Sequence, residues 1–313
     1  MANLVPLYAV LLILGGQAGL PLLVFTFLTK RVHRHPTFIN FCITMIIYSV
    51  IFCLVFYTTE YNDTPTPSRG LCLAQASMIV GAFPMASMAA LVLVFEIWAT
   101  CQGADSAMLN FITKTSTTVI LILIPYVALA GFTIVSALVA AKIPDSAKFA
   151  NGFYCSIQLY PIRRLIVPIV NLVIVTVIVV FEVAIVVQWY RRWHRLKESF
   201  PLAERRPDAM LCFRVALFNF YTIITLATAI PFATNSGAHA FSYIVDAGLP
   251  IATFLVFGTQ KDVFIAWGIS KELPDLTRRD STASEDSLSH FLPSSEGPLS
   301  NSVVSSRANS SLA

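Results

Sequence analysis

The feature that most constrains this chain is a succession of long apolar windows in which charged residues are rare. The windows cover residues 5–28, 38–57, 72–98, 115–140, 163–190, 211–233 and 241–258. A transmembrane helix needs about 20 mostly apolar residues, so each window is long enough to cross a bilayer, the last with little to spare. Only 12% of the 313 residues are charged, whereas soluble domains carry about 25%. The sequence therefore predicts an all-α membrane protein, a bundle of seven transmembrane helices without a large domain outside the membrane.

The composition changes after the last apolar window. Residues 271–313 are rich in serine, carry several charges and contain almost no aromatic side chain. A segment of this kind buries too little apolar surface to fold. We therefore divide the chain into a transmembrane domain, 1–270, and a disordered cytosolic tail, 271–313. The tail contains the run Arg-Arg-Asp-Ser ending at Ser281, which is typical of a basophilic kinase site and predicts phosphorylation of Ser281 and Ser284.

The basic residues predict the orientation. With the N-terminus outside, 13 Lys and Arg residues near the spans fall on the inner side and 5 on the outer side. The positive-inside rule then places the N-terminus outside and the C-terminus in the cytosol, in a multi-pass protein of the plasma membrane. Asn62 begins an Asn-Asp-Thr glycosylation sequon, which this topology places in the first outer loop. Because the basic residues form small clusters beside the spans, we expect membrane lipid as a partner and no nucleic acid.

Two of the six cysteines fall on the predicted outer side, Cys72 at the start of the third span and Cys155 in the second outer loop. In an oxidising compartment this pair favours a disulfide between the loop and the third span. Two buried free thiols are the alternative. The cysteines are too scattered for a metal site and include no Cys-x-x-Cys pair, so we expect neither a metal nor a cofactor.

Seven spans, an outside N-terminus and a bridge from the third span to the second outer loop resemble the G-protein-coupled receptors. The segments HPTFINFCITMIIYS (35–49) and FLVFGTQKDVF (254–264) are similar to uncharacterised receptor-like proteins of basidiomycete fungi. The resemblance implies a receptor that binds a small extracellular ligand and couples to a heterotrimeric G protein. It also implies a short interfacial helix after the seventh span, where bulky apolar residues stand beside Lys261.

The inner end of the third span departs from the rhodopsin-like pattern. Receptors of that class have an acid, an arginine and an aromatic residue there, and this chain has Glu96-Ile97-Trp98. A carboxylate at the membrane edge is costly unless it is paired. Arg214, early in the sixth span, is a candidate partner for Glu96 in a clasp that holds the inactive state. A Glu96 side chain that reaches the lipid headgroups is the alternative.

Asp246, in the outer part of the seventh span, is the candidate ligand contact. Charged residues inside a span are functional candidates by default. An internal ion pair of Asp246 with Arg163 or Arg164, at the outer mouth of the fifth span, is the alternative, and both arginines are further ligand candidates. Pro250 occupies the place of the proline in the Asn-Pro-x-x-Tyr pattern of rhodopsin-like receptors, and we expect it to free a carbonyl and bend the span.

The short third inner loop, 191–208, is the candidate contact for a G protein or anionic lipid. Its basic residues next to the fifth span are Arg191, Arg192 and Arg195. Solvated charges that only set the topology are the alternative, and the two roles do not exclude each other.

Transport of a small solute is the alternative function. It requires a polar path, and the acids within the spans are few and lie at different depths. A retinal-binding pump is excluded because residues 241–258 contain no lysine. A membrane metallohydrolase is excluded because no His, Asp and Glu ligands cluster on the outer side. We therefore do not expect an enzyme.

Overall fold

The computed structural model describes most of the transmembrane domain. The described residues are 4–29, 35–58, 67–101, 115–143, 146–149, 153–157, 165–199, individual positions between 217 and 227, and 240–268. They are mostly helical. The predicted tail, 271–313, lies outside them, as do the phosphorylation candidates Ser281 and Ser284 and the glycosylation candidate Asn62.

Within the described ranges, six helices are long and apolar enough to cross a membrane. They are Val5–Leu28, Pro36–Tyr57, Arg69–Thr100, Ser116–Lys142, Val167–Gln188 and Phe241–Gly258. These helices correspond to six of the predicted spans. The remaining one, 211–233, falls largely outside the described residues, although the positions described between Leu217 and Ala227 are helical.

The elements are numbered in chain order. They are α1 (Val5–Leu28), α2 (Pro36–Cys53), α3 (Arg69–Cys101), α4 (Thr115–Lys142), β1 (Ala147–Lys148), β2 (Ser156–Ile157), α5 (Val167–Ser199), α6 (Ala240–Ala247), α7 (Leu249–Gly258) and α8 (Lys261–Ala266). Proline stands in the first turn of α2, where its missing N–H costs no helical hydrogen bond. Gly268, with φ of 73°, follows the end of α8 in a conformation that favours glycine.

The strands form a small antiparallel hairpin between α4 and α5, which the all-α prediction did not include. Ala147 lies opposite Ile157, and Lys148 lies opposite Ser156. The hairpin packs on the first turns of α3.

α3 lies at the centre of the bundle, in contact with α2, α4 and α5. It runs from Cys72, beside the hairpin, to Glu96, beside the start of α2. We name these two ends of the bundle the disulfide end and the Glu96 end.

The contacts also give the directions of α5, α6 and α7. α5 begins next to the hairpin, and its residue Phe181 contacts Trp98 near the Glu96 end. α6 begins at the disulfide end, where Tyr243 contacts Tyr154, and α7 ends at the Glu96 end, where Phe257 contacts Phe38. α5 and the α6–α7 pair therefore run in the same direction.

α1 contains a π-helical segment, Ile13–Gly19, flanked by α-helical turns. This segment packs against α7 and α2. A Cβ atom at Gly15 would overlap the backbone of Ile251, and one at Gly16 would overlap the side chain of Ser49. Glycine therefore allows α1 to approach α7 at backbone contact distance.

The outer surface of the bundle is apolar. The most apolar window of α4 is only 6% buried, and that of α5 is 28% buried. Their exposed side chains include Ile120, Val127, Leu138 and Val180. A continuous apolar surface of this size is unfavourable in water and is the expected surface of a helix that faces lipid.

Candidate functional site

A cavity of about 40 Å³ lies between α2, α3 and the junction of α6 with α7. It has room for a few water molecules, whereas pockets for organic ligands measure roughly 300–1,000 Å³. Its walls are Met45, Tyr48, Phe83, Ala86, Ser87, Ala90, Thr225, Asp246 and Leu249. The cavity is therefore small and mostly apolar, and Asp246 is the acidic residue that lines it.

Asp246 is the next-to-last residue of α6 and lies in the part of the bundle nearer the disulfide end. Its side chain lines the cavity and is partly exposed there. The alternative partners Arg163 and Arg164 lie outside the described residues. The two roles predicted for Asp246, a ligand contact and an ion pair with one of these arginines, therefore both stay predictions.

The backbone breaks between α6 and α7, directly beside this carboxylate. Pro250 has no N–H, so the carbonyl of Asp246 cannot accept the usual helical hydrogen bond. The hydroxyl of Tyr48, on α2, donates to this carbonyl at 3.4 Å. The hydroxyl of Tyr221 donates to the carbonyl of Val245 at 2.7 Å. Two tyrosines from other parts of the bundle thus bind the helix at its break.

Gly248 is the residue at the break. Its N–H donates to the carbonyls of Ile244 at 3.0 Å and of Val245 at 3.1 Å. A Cβ atom on Gly248 would overlap the hydroxyl of Tyr221. Glycine lets the tyrosine approach this closely, and a larger residue here would require the Tyr221 hydroxyl to shift.

A second polar contact joins the cavity wall to α5. The hydroxyl of Ser87 donates to the side-chain oxygen of Asn171 at 2.8 Å, and the Asn171 amide donates to the carbonyl of Val167 at 3.0 Å. Hydrogen bonds between helices in a membrane fix their relative rotation. This pair holds α3 and α5 in register next to the cavity.

The predicted bridge between Cys72 and Cys155 is present, with 5.1 Å between the two Cα atoms. The alternative of two buried free thiols at these positions is wrong. Cys42 and Cys53 are buried free thiols within the described chain. The bridge attaches the segment before β2 to the first turn of α3.

At the other end of the bundle, Glu96 is only 6% exposed. Its carboxylate accepts a hydrogen bond from the hydroxyl of Thr37 and pairs with Nδ1 of His35. His35 Nδ1 and Thr37 Oγ1 are 3.0 Å apart. Because His35 and Thr37 begin α2, the negative charge lies at a helix N-terminus, where the helix dipole favours it.

The sequence analysis offered two interpretations of Glu96, a clasp with Arg214 and a side chain that reaches the lipid headgroups, and these contacts test only the second. The headgroup interpretation is wrong, because the side chain is buried and bound by α2. Arg214 lies outside the described residues, so the clasp to the sixth span stays a prediction. The sequence analysis missed His35 and Thr37, although a histidine next to Pro36 at a helix start is a visible signal.

The other inner-face candidates lie near this end. Trp98 packs on Phe95 and Phe181, with ring centroids 5.9 Å and 5.2 Å away. Arg191 is exposed on α5. Arg192 and Arg195 belong to the same helix, but their side chains lie outside the described residues.

The predicted short helix after the seventh span is α8. Trp267, just past its end, donates from Nε1 to the hydroxyl of Thr26 on α1 at 2.9 Å. Val263 is completely buried. α8 is therefore fixed to the Glu96 end by one hydrogen bond and one buried side chain.

Neither a scan against protein-family models nor a search of curated proteins finds a match to this chain.

Proposed function

We propose that this protein is a seven-helix receptor of the G-protein-coupled type. It senses a small molecule that arrives at the disulfide end and signals to a heterotrimeric G protein at the Glu96 end. It lies in the plasma membrane with its N-terminus and disulfide end outside and its C-terminus in the cytosol. Its chemistry is binding and conformational change, with no catalysed reaction and no cofactor.

The direction of the helices supports seven crossings. α5 ends at the Glu96 end, and α6 begins at the disulfide end. The chain between Ser199 and Ala240 has to return from one end to the other, and this stretch contains the predicted span 211–233. Six described helices and one returning segment make an odd number of crossings.

The observation that carries the proposal is the position of Asp246 beside the break between α6 and α7. A receptor needs a site whose occupancy favours one of two arrangements of a structural element. Here the carboxylate lines the cavity, and the carbonyl of the same residue is held by Tyr48. A ligand, ion or water that changes the environment of Asp246 therefore acts directly on the bend of the helix.

The transporter alternative has less support. Proton and ion pathways in membranes are usually marked by series of ionisable groups. Glu96 is bound by His35 and Thr37 at one end of the bundle, and the Asp246 cavity is walled mainly by apolar side chains.

The test is a coupling assay in yeast, with a set of Gα subunits, a transcriptional reporter and a panel of small molecules. We expect at least one Gα subunit to couple. For any active compound, Asp246→Ala and Asp246→Asn should raise the half-maximal concentration by about tenfold or more, since a contact to a charged group contributes about 1.5–3 kcal/mol.

The matched control is Thr176→Ala, because Thr176 is exposed on α5 and its hydroxyl donates to the carbonyl of Leu172 in the same helix. It should respond like the parent at equal surface expression. Coupling to no Gα subunit would overturn the proposal, and solute uptake by reconstituted vesicles would then favour the transporter.

A further inference from the structure

The charged contact at the Glu96 end joins an exposed histidine to a buried carboxylate. The side chain of His35 is 45% exposed, whereas Glu96 is 6% exposed and Thr37 is 2% exposed. His35 therefore exchanges protons with the solvent, while Glu96 depends on its protein partners for stabilisation of its charge. A buried charge that loses a partner of opposite sign is strongly destabilising. The strength of the contact thus depends on the charge of His35.

The geometry gives the two ring nitrogens of His35 separate roles. Nδ1 pairs with the Glu96 carboxylate and lies 3.0 Å from Thr37 Oγ1. A proton on Nδ1 therefore stays in the contact, and Nε2 is the nitrogen that gains and loses a proton. Histidine is the side chain that ordinarily changes charge between about pH 5 and pH 8. Over that range the ring alternates between a cation that attracts the carboxylate and a neutral hydrogen-bond donor.

His35 is the residue at this end whose type suits such a change. The other charged or titratable residues on the helices there are Cys42 on α2, Cys101 on α3, Tyr126 on α4, Glu182, Tyr190 and Arg191 on α5, and Lys261 and Asp262 on α8. The side chains of Cys101, Lys261 and Asp262 lie outside the described residues, and neither α1 nor α7 contains a charged residue. The ordinary pKa values of Asp, Glu, Cys, Tyr, Lys and Arg lie outside this range. Among the described side chains at this end, His35 is therefore the candidate sensor of pH.

The start of α2 connects this contact to the helices around it. Phe38 follows Thr37 directly, and its ring lies 5.5 Å from that of Phe27, on α1, and 4.9 Å from that of Phe257, at the end of α7. Glu96 itself belongs to α3. A change in the force that holds the start of α2 therefore alters the packing of three other helices at the same end.

We propose that His35, Thr37 and Glu96, which we name the latch, make the receptor responsive to the pH of the compartment that the Glu96 end faces. With His35 protonated, the latch is closed and holds α2 against α3. Loss of the proton leaves Glu96 with Thr37 and the helix N-terminus, so the latch weakens and the signalling arrangement gains population. A fall in pH lowers the basal signal, and a rise in pH increases it. The inference rests on the proposed function in taking the Glu96 end as the cytosolic, signalling end.

The first test measures the latch without any G protein. The full-length protein, purified and reconstituted in lipid nanodiscs, is unfolded thermally at about pH 5.5 and about pH 7.5, which span most of the range in which histidine changes charge. The variants are His35→Gln, Glu96→Gln and the double variant. This double-mutant cycle separates the coupling between the two side chains from every other effect of pH.

We expect the coupling to raise the unfolding midpoint by about 2 °C or more at the lower pH, the shift that one moderate contact gives in a chain of this size, and by clearly less at the higher pH. His290→Gln, in the predicted tail, is the matched control for the loss of a histidine and should keep the pH dependence of the parent. Equal coupling at both pH values would overturn the inference. Should Glu96→Gln not yield folded protein, the difference between the midpoints of the parent and His35→Gln decides, because it must shrink as the pH rises.

The second test measures the basal reporter signal in yeast whose cytosolic pH is set with an ionophore. Between about pH 6 and about pH 7.5 we expect the signal of the parent to rise by about twofold or more, as the population shifts away from the closed latch. His35→Gln should give a high signal throughout, and His35→Arg, whose charge is permanent, a low one. A parent signal that does not change with pH, through a Gα subunit that couples, would overturn the regulation. A latch that responds to pH in the purified protein without coupling to any Gα subunit would refute the proposed function and leave the pH-sensitive contact standing.

Discussion

Glu96 is a buried carboxylate whose two partners, His35 and Thr37, both lie at the start of α2. We predict that Glu96→Gln raises basal signalling. The amide keeps the shape of the side chain but removes its charge, so the contacts between α3 and α2 weaken by about 1.5–3 kcal/mol, the range for hydrogen bonds to charged groups. Reporter activity without ligand, at matched surface expression, measures this change, and thermal unfolding of the purified protein measures the loss of stability.

A control for this substitution is available one turn along α3. Thr100 is exposed and its hydroxyl donates to the carbonyl of Ile97 in the same helix at 2.8 Å, so Thr100→Ala should leave both readouts unchanged. Thr37→Val removes one of the partners of Glu96 and should reproduce part of the effect. Basal activity in Glu96→Gln equal to that of the parent would show that this cluster does not hold the inactive state.

Glu96 also shows that the sequence predicts the need for a partner but not which residue the partner is. A carboxylate at the edge of an apolar window needs a partner for a physical reason that is visible in the sequence. The identity of that partner depends on which helix start lies next to α3, and sequence spacing does not contain this information. Arg214 has the right charge, but the described partners are His35 and Thr37, which were overlooked because the neighbouring basic cluster was interpreted only as a topology signal.

Among the elements, the close contact of α1 with α7 depends on the π-helical segment Ile13–Gly19. We predict that Gly15→Ala destabilises the protein by about 1–3 kcal/mol, the usual cost of adding volume to a packed interior. The added methyl group would overlap the backbone of Ile251, which cannot move aside as a side chain can. The midpoint of thermal unfolding in detergent measures the effect.

Gly131, on α4, provides the comparison. A Cβ atom there meets nothing within 4 Å, so Gly131→Ala should be neutral or raise stability by up to about 1 kcal/mol through helix propensity. Equal unfolding midpoints for Gly15→Ala and Gly131→Ala would mean that α1 does not depend on backbone contact with α7.

The spans themselves were predictable because length and apolarity decide whether a helix crosses a membrane. The window 38–57 became the helix Pro36–Tyr57, and the window 241–258 became Phe241–Gly258. The π-helical segment and the buried loop at Phe153 were not predicted. Both arise from contacts between elements distant in sequence, and a window of local composition cannot report such contacts.

In the whole molecule, α2 is the element that contacts every functional region described. Thr37 binds Glu96 at one end of the bundle, Tyr48 binds the freed carbonyl beside the cavity, and Phe52 contacts Tyr154 at the other end. These three side chains lie on one rigid helix, so a movement at one region changes the others. This connection gives a physical route between the disulfide end and the Glu96 end over the full thickness of the membrane.

The proposed signalling requires the two ends to face opposite sides of the membrane, with the disulfide end outside. We predict that an N-terminal epitope tag is detected on intact cells and that a C-terminal tag is detected only after permeabilisation. The reasons are the 13 to 5 distribution of basic residues, which the positive-inside rule converts into an orientation, and the common direction of α5 and the α6–α7 pair.

Asn62 offers an independent readout, because the described residues that flank it, Thr58 and Pro67, lie between α2 and α3 next to the disulfide end. Glycosidase treatment should shift the mobility of the parent but not of Asn62→Gln, since glycans are added only on the lumenal side that becomes the cell exterior. A C-terminal tag detected on intact cells would contradict this orientation, and the receptor proposal could not then hold.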